Sequence, residues 1–198
     1  MPEKKTLLDD HRVVRCVVAL SSTVYRFKID MSHVDRGIYE VLDLRVACHP
    51  SETHAFLLTR VIAYALFYEE GIAFSKGGLS SSDEAAITVR SLDGILKTII
   101  EIGSPAPDRL HKATKAAERV IVVTQHDPEL LLRDLSRATI HRATELEIYS
   151  LPKSFLAELG ENLDRHNDWQ LVFTDGEIYI TTKGKDVRTT LTRHTLPT

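Results

Sequence analysis

The sequence predicts a single-domain α/β fold, a mixed sheet with an α-β-β-β-α-β core and flanking hairpins. Three observations lead there. Alternating apolar and polar runs bracket glycine-containing turns near both ends of the chain. Between them, Pro50 to Thr124 reads helix, strand, strand, strand, helix, strand. Within it Val120, Ile121, Val122 and Val123 form an unbroken apolar run, as expected of a central strand covered on both faces. A length of 198 residues suits one domain, and a chain this size buries enough surface to fold without disulfide or metal.

Taken in order, residues 1–17 read as a charged extension ahead of the fold, expected to be disordered; Asp9 and Asp10 stand where an export signal needs positive charge, and Arg15 interrupts its apolar stretch. Thr23 to Asp30 alternates and is followed, after a turn ending at Gly37, by a second strand from Ile38 to Ala47. His49-Pro50-Ser51-Glu52-Thr53 reads as a helix start, with proline in the first turn, glutamate favouring the positive helix end and His49 as a helix cap or, alternatively, a donor to the acidic site. The helix to Tyr68 is apolar on most faces, which makes it central and buried, and Gly71 stops it. Ile72 to Ser75 is a short strand, and Gly77 to Ser82 a loop of small residues closed by Asp83-Glu84. Ala85 to Ser91 and Ile95 to Ile102 flank Asp93-Gly94, the signature of a tight hairpin. There follow a helix from Pro107 to Glu118, the strand Arg119 to Thr124, a helix from Pro128 to Arg137, a strand near Leu146 to Tyr149, a helix from Pro152 to Asp164, and a last hairpin about Asp175-Gly176.

Composition limits the function classes. Lys and Arg number 25 against 28 Asp and Glu, a net charge of −3, which argues against a dedicated bulk nucleic-acid binder but not against a local basic patch. With 43% hydrophobic and 27% charged residues the chain is an ordinary globule. No apolar run approaches the ~20 residues of a membrane span, so no membrane partner is expected. Cys16 and Cys48 lack metal spacing and read as reduced thiols of a cytoplasmic protein.

The central hairpin permits a register argument. With Asp93 and Gly94 as the loop, Leu92 faces Ile95, Glu101 lies opposite Ala86, and Gly103 opposite Glu84. One face then carries Ile87, Val89, Leu96, Thr98, Ile100 and Ile102; the other carries Glu84, Ala86, Thr88, Arg90, Lys97, Ile99 and Glu101. Glu84 comes diagonal to Glu101, roughly 7–8 Å apart at the backbone. Asp93 is too distant and is explained by its turn. Two carboxylates on one face, with Glu52 before them, suit a hard divalent cation, since Mg²⁺ takes one or two carboxylates and completes its shell with water and phosphate oxygens. Glu84 also fits a solvated strand end, and Glu52 a partner of the helix dipole. Glu101 is less easily explained so, because it interrupts Ile99, Ile100 and Ile102 in a central strand, where an unpaired charge is costly. Arg109, Lys112, Lys115 and Arg119 follow as a basic set on the next helix, a phosphate-binding face or a solvated one.

Further residues resemble the YaeQ family of bacterial proteins. They run from Ala19-Leu20-Ser21-Ser22-Thr23-Val24-Tyr25 through Asp35-Arg36-Gly37-Ile38-Tyr39-Glu40 and His49-Pro50-Ser51-Glu52-Thr53. Phe74-Ser75-Lys76-Gly77, Asp83-Glu84, Ile100-Glu101-Ile102-Gly103 with Pro105, and Arg109-Leu110-His111-Lys112-Ala113 follow. The resemblance covers the chain from residue 18 onward, and Val18-Ala19-Leu20 lies where members begin Met-Ala-Leu. It implies a restriction-endonuclease-like fold, a variant of the PD-(D/E)xK nucleases, with Glu52, Asp83 or Glu84, and Glu101 as the acidic, metal-binding set. Gly103 occupies the usual lysine position, so the resemblance implies that the lysine has moved to Lys112. Cys48, Ala85 and Ile99 depart from the common Arg, Pro and Trp of the family.

Two functions follow from these expectations. In the first, the protein is a nuclease dependent on Mg²⁺ or Mn²⁺; Glu52, Glu84 and Glu101 hold the metal, Lys112 assists, and Arg60, Lys76 and Arg109 contact phosphate. In the second, the fold is kept as a non-catalytic module that binds nucleic acid or a protein.

Overall fold

The computed structural model describes residues 22–75 and 84–196. Its strands form two sheets rather than the single sheet expected. The first has five strands in the order β10-β9-β8-β1-β2, built from β1 (Thr23–His33), β2 (Ile38–Cys48), β8 (His166–Thr174), β9 (Glu177–Thr182) and β10 (Lys185–Thr190). The second has six in the order β11-β7-β6-β5-β4-β3, from β3 (Ile72–Phe74), β4 (Ile87–Arg90), β5 (Leu96–Ile102), β6 (Arg119–Thr124), β7 (Glu147–Ser150) and β11 (Thr192–His194). Strands of both sheets, β1 and β2 in the first and β4 in the second, alternate in the same way, so alternation identifies strands without dividing them between sheets.

The helices layer the sheets. α1 (His54–Leu66) and α4 (Lys153–Glu161) share one core with the inner faces of both sheets, including Phe27, Leu44 and Trp169 from the first and Ile87, Ile100 and Ile121 from the second. α1 is therefore enclosed on most sides, as its apolar sequence requires: Leu57, Leu58, Val61, Ile62 and Ala65 have no exposed surface. α2 (Pro107–Ala116) and α3 (Pro128–Ser136) cover the opposite face of the second sheet, where Leu110, Ala113, Leu131 and Leu135 pack on Ile99, Val120 and Val122. Covering both faces is what the continuous apolar run of β6 demands, and it buries Thr98 to Ile102 of β5 as well.

The start of α1 differs from expectation. Thr53, not His49, is the cap; its side chain accepts from the Phe56 N–H at 3.2 Å, and His49 to Glu52 form a separate turn. α2 ends at Ala116, so Arg119 lies on β6 and leaves the helical basic face.

The hairpin register is as expected over Ile87↔Ile100, Thr88↔Ile99 and Val89↔Thr98, and then shifts so that Arg90 faces Leu96. The loop is longer by one residue: the Gly94 N–H donates to Ser91, the Ser91 N–H to Ile95, and Gly94 takes φ +84°. A type I turn closed by a left-handed glycine needs that extra residue, and the irregularity at Val89/Arg90 absorbs it. Leu96 in consequence packs with the α2–α3 core instead of the α1 core. The hairpin at Asp175-Gly176 is present, and a second glycine turn, Lys183-Gly184, adds β10.

Gly71 is fixed by close approach. It has φ +87°, and a Cβ there would lie 1.9 Å from the Arg90 carbonyl oxygen. Gly71→Ala is expected to cost more than the ~1–3 kcal/mol of a strained backbone, whereas Gly37→Ala, at φ +64° with open space around it, costs about 1 kcal/mol. Urea denaturation of the two variants measures the difference.

Candidate functional site

A cavity of about 930 Å³ lies between the β3-β4-β5 end of the second sheet and α2. Glu84, Glu101, Arg109 and Lys112 line it together with Thr88, Arg90, Asp108 and an apolar wall that includes Leu96 and Ile99. The alternation of β5 explains its floor. Ile100 and Ile102 point to the α1 core, so Glu101 shares the side of Ile99 and faces α2. Thr88 and Arg90 share that face by the hairpin register.

Arg109 ties the site together. Its Nε–H donates to Glu101 Oε1 at 2.7 Å, and its Nη2–H to the Glu84 carbonyl oxygen at 2.6 Å. One guanidinium thus joins α2, β5 and the segment leading into β4. Glu101 is only 5% exposed, and burial raises its pKa above the usual 4.5 although Arg109 pulls the other way. Lys112 is exposed at the cavity wall and makes no hydrogen bond or ion pair with any described residue.

Glu52 is elsewhere. It does not line the cavity; it forms a second, separate ion pair with Arg60 at 3.1 Å, the two side chains being 1% and 4% exposed. Arg60 also donates to the Ala47 carbonyl oxygen at 2.6 Å and lies 5.8 Å from the Phe74 ring centroid. Burial raises the pKa of Glu52, opposed by Arg60 and by the His49 N–H that it accepts at 3.2 Å. Arg60, expected to contact phosphate, is thus a buried partner of Glu52. The signal was present: an arginine amid Leu57, Leu58, Val61 and Ile62 needs an internal counter-charge.

Glu84, Glu101, Arg109 and Lys112 are therefore brought together, and Glu52 and Arg60 are not among them. Asp83 and Lys76 lie outside the described residues. Among the described residues no three Asp, Glu, His or Cys side chains group as a metal cluster. For a hard cation Glu84 and Glu101, two of the three carboxylates that line the cavity, are oxygen donors of the type Mg²⁺ takes. Arg109 already holds Glu101 Oε1, so a cation there must share or displace that bond.

A third ion pair was not expected. Arg119 binds Glu147 bidentately at 2.5 and 3.0 Å, and the Tyr149 hydroxyl donates to the same carboxylate at 2.8 Å. Burial opposes the charge of Glu147, but these bonds prevail and hold its pKa below the usual value.

The layered fold and its cavity define a class, an α/β protein with a carboxylate, a guanidinium and an ammonium converging between sheet and helix. The chain belongs to the YaeQ family, whose pattern, described as YaeQ protein, it matches over residues 18–191. It is 26% identical over 176 residues to the uncharacterized protein YaeQ of Salmonella typhi and likewise to that of Escherichia coli strain K12, covering 88% of this chain and 97% of each relative. The crystal structure of YaeQ protein from Pseudomonas syringae superposes with a TM-score of 0.81 at 29% identity, over 88% of this chain and 96% of that one. The YaeQ structure from Xanthomonas axonopodis pv. citri gives 0.81 at 28%, over 89% and 100%. No helix among the described residues is long and apolar enough to cross a membrane.

Two stability experiments follow from these ion pairs. Arg60→Met leaves the Glu52 charge buried without its partner and is expected to cost about 3–5 kcal/mol at neutral pH, less at acidic pH where Glu52 takes up a proton. The raised pKa of Glu101 means that its stabilising contribution is complete below 4.5 and is lost as pH rises through its folded value. Glu147 has the opposite sign, its contribution being present above 4.5 and lost as pH falls through its lowered value. Glu101→Gln should therefore gain on the parent protein as pH rises above 4.5, while the deficit of Glu147→Gln should vanish toward pH 3. Denaturation midpoints across that range check both signs.

Proposed function

We propose that this protein is a phosphodiesterase of nuclease type, dependent on Mg²⁺ or Mn²⁺, with a restriction-endonuclease-like variant of the PD-(D/E)xK fold, acting on nucleic acid in the cavity between β5 and α2. The observation that carries this is the convergence of Glu101, Glu84 and Lys112, from three separate stretches of chain, on one cavity. Glu101 and Glu84 would hold the cation, with Asp83 adjacent in sequence. A bound divalent cation supplies an activated water and neutralises phosphate charge. The chain's own residues do the rest. Lys112, which lines the cavity and is bonded to no described residue, would bring an ammonium to a phosphoryl oxygen as it gains negative charge. Arg109 orients Glu101 through the 2.7 Å bond and sets a second positive charge at the same wall. Gly103, in the position where related nucleases carry their lysine, leaves that ammonium to come from α2. Glu52 and Arg60 support the α1 core and take no part in catalysis.

One observation favours a second reading, a module that binds nucleic acid or protein without catalysis: Glu101 Oε1 is already occupied by Arg109. Thermal unfolding during Mg²⁺ or Mn²⁺ titration separates the two. The enzyme is expected to gain several degrees at millimolar metal, the gain to disappear in Glu101→Gln, and metal-dependent cleavage of single-stranded DNA, duplex DNA or RNA to fall at least about 100-fold in Lys112→Ala. No metal shift and no cleavage of any of the three substrates leaves the binding module.

A further inference from the structure

Among the described residues, three of the four sheet edges are short strands: β3 and β11 have three residues each, and β10, against which α4 packs, has six. Short edges are a common protection against edge-to-edge pairing. β2 is the exception, with eleven residues at the edge of the first sheet.

The direction of its backbone groups follows from its neighbours. The Arg26 N–H donates away from β2, to the Arg165 carbonyl beside β8 at 2.8 Å. Even-numbered residues of β1 therefore turn toward β8 and odd-numbered ones toward β2. Phe27 faces Leu44 and Ile29 faces Leu42, so it is the even residues of β2 that bond to β1. Tyr39, Val41, Asp43, Arg45 and Ala47 consequently direct their N–H and C=O groups outward. The Ala47 carbonyl is satisfied by Arg60 at 2.6 Å, which confirms the direction. Among the described residues none bonds to the outward backbone groups of Tyr39, Val41, Asp43 or Arg45.

The side chains along this edge favour one occupant. Tyr39 and Val41 are 64% and 63% exposed. Arg45 lies directly opposite Arg26 across the β1–β2 ladder, a like-charge pair relieved, among the described residues, by Asp43, which accepts from Arg26 at 3.0 Å. A second β2 running antiparallel, with Leu44 opposite its own copy, sets Asp43 of each chain opposite Arg45 of the other and Val41 opposite Ala47. In that register Asp43 and Arg45 meet as hydrogen-bonded pairs, the Ala47 carbonyl, which already accepts from Arg60, offers its second lone pair to the Val41 N–H, and each Arg45 gains a carboxylate on its unpartnered side.

We propose that two copies of this chain pair through β2 in this register, joining their five-stranded sheets into one of ten strands. The cavity between β5 and α2 belongs to the other sheet and is not involved. Sedimentation equilibrium on the full chain tests the pairing through charge exchange. The parent protein is expected to have twice the mass of one chain at tens of micromolar. Asp43→Arg should raise the dissociation constant at least about tenfold by setting arginine against arginine, and the double variant Asp43→Arg/Arg45→Asp should restore it, because each pair is then reversed intact. Val41→Pro, which removes only an outward N–H, should also weaken the dimer while circular dichroism shows the fold retained. A parent protein that stays monomeric, or an Asp43→Arg variant that pairs as well as the parent, overturns the proposal; so does a double variant that folds yet fails to recover the dimer.

Discussion

Burying a carboxylate on a strand that is covered on both faces is tolerable only if a cation reaches it, and much of this structure answers to that constraint. β5 lies between the α1 core and the α2–α3 core, so Glu101 has no route to bulk water comparable with a surface residue. Arg109 meets the requirement from α2, and in doing so fixes how that helix sits over the sheet. The space left between them is the cavity. A single charge interaction thus links sheet order, helix placement and the candidate site.

The same rule operates twice more. Glu52 turns inward from the segment before α1 and meets Arg60 two turns along the helix, within a core otherwise made of Leu57, Val61 and their neighbours. Arg119 and Glu147 join the adjacent strands β6 and β7, with Tyr149 as a third member. The three pairs differ in what burial leaves behind. Glu147, with a bidentate partner and a phenol, is held firmly ionised; Glu52 and Glu101 are held less well, and their pKa values move up. Groups poised in this way are where binding of a further cation has most to gain. Of those two, Glu101 is the one that lines the cavity between β5 and α2.

The sequence was legible wherever one local rule sufficed. The unbroken apolar run Val120 to Val123 located a central strand, the apolar faces of α1 located a buried helix, and Asp93-Gly94 located the hairpin whose register put Glu101, Thr88 and Arg90 on one face. It was less legible where a choice depended on tertiary neighbours. Alternation in Thr23 to Asp30 and in Ala85 to Ser91 is the same signal, yet those strands belong to different sheets. The loop took three residues because Gly94 alone adopts the left-handed conformation, where a two-residue turn needs it at Asp93 as well. The family resemblance and the position of Glu52 ahead of the hairpin group it with Glu101, but the two serve different cores, and nothing in a linear sequence says that Arg60 lies beside Glu52.

On the proposed reading Glu101, in its pair with Arg109, is the carboxylate that receives a cation. Carboxyl-carbon NMR titration of the glutamates, without metal and then with saturating Mg²⁺, reads this at the atom concerned. Glu101 is expected to titrate above 4.5 without metal and to move downward when Mg²⁺ is added, while Glu52, held by Arg60 in the other core, keeps its value. A Glu101 resonance that ignores the metal, or a Glu52 resonance that moves in its place, would contradict the account.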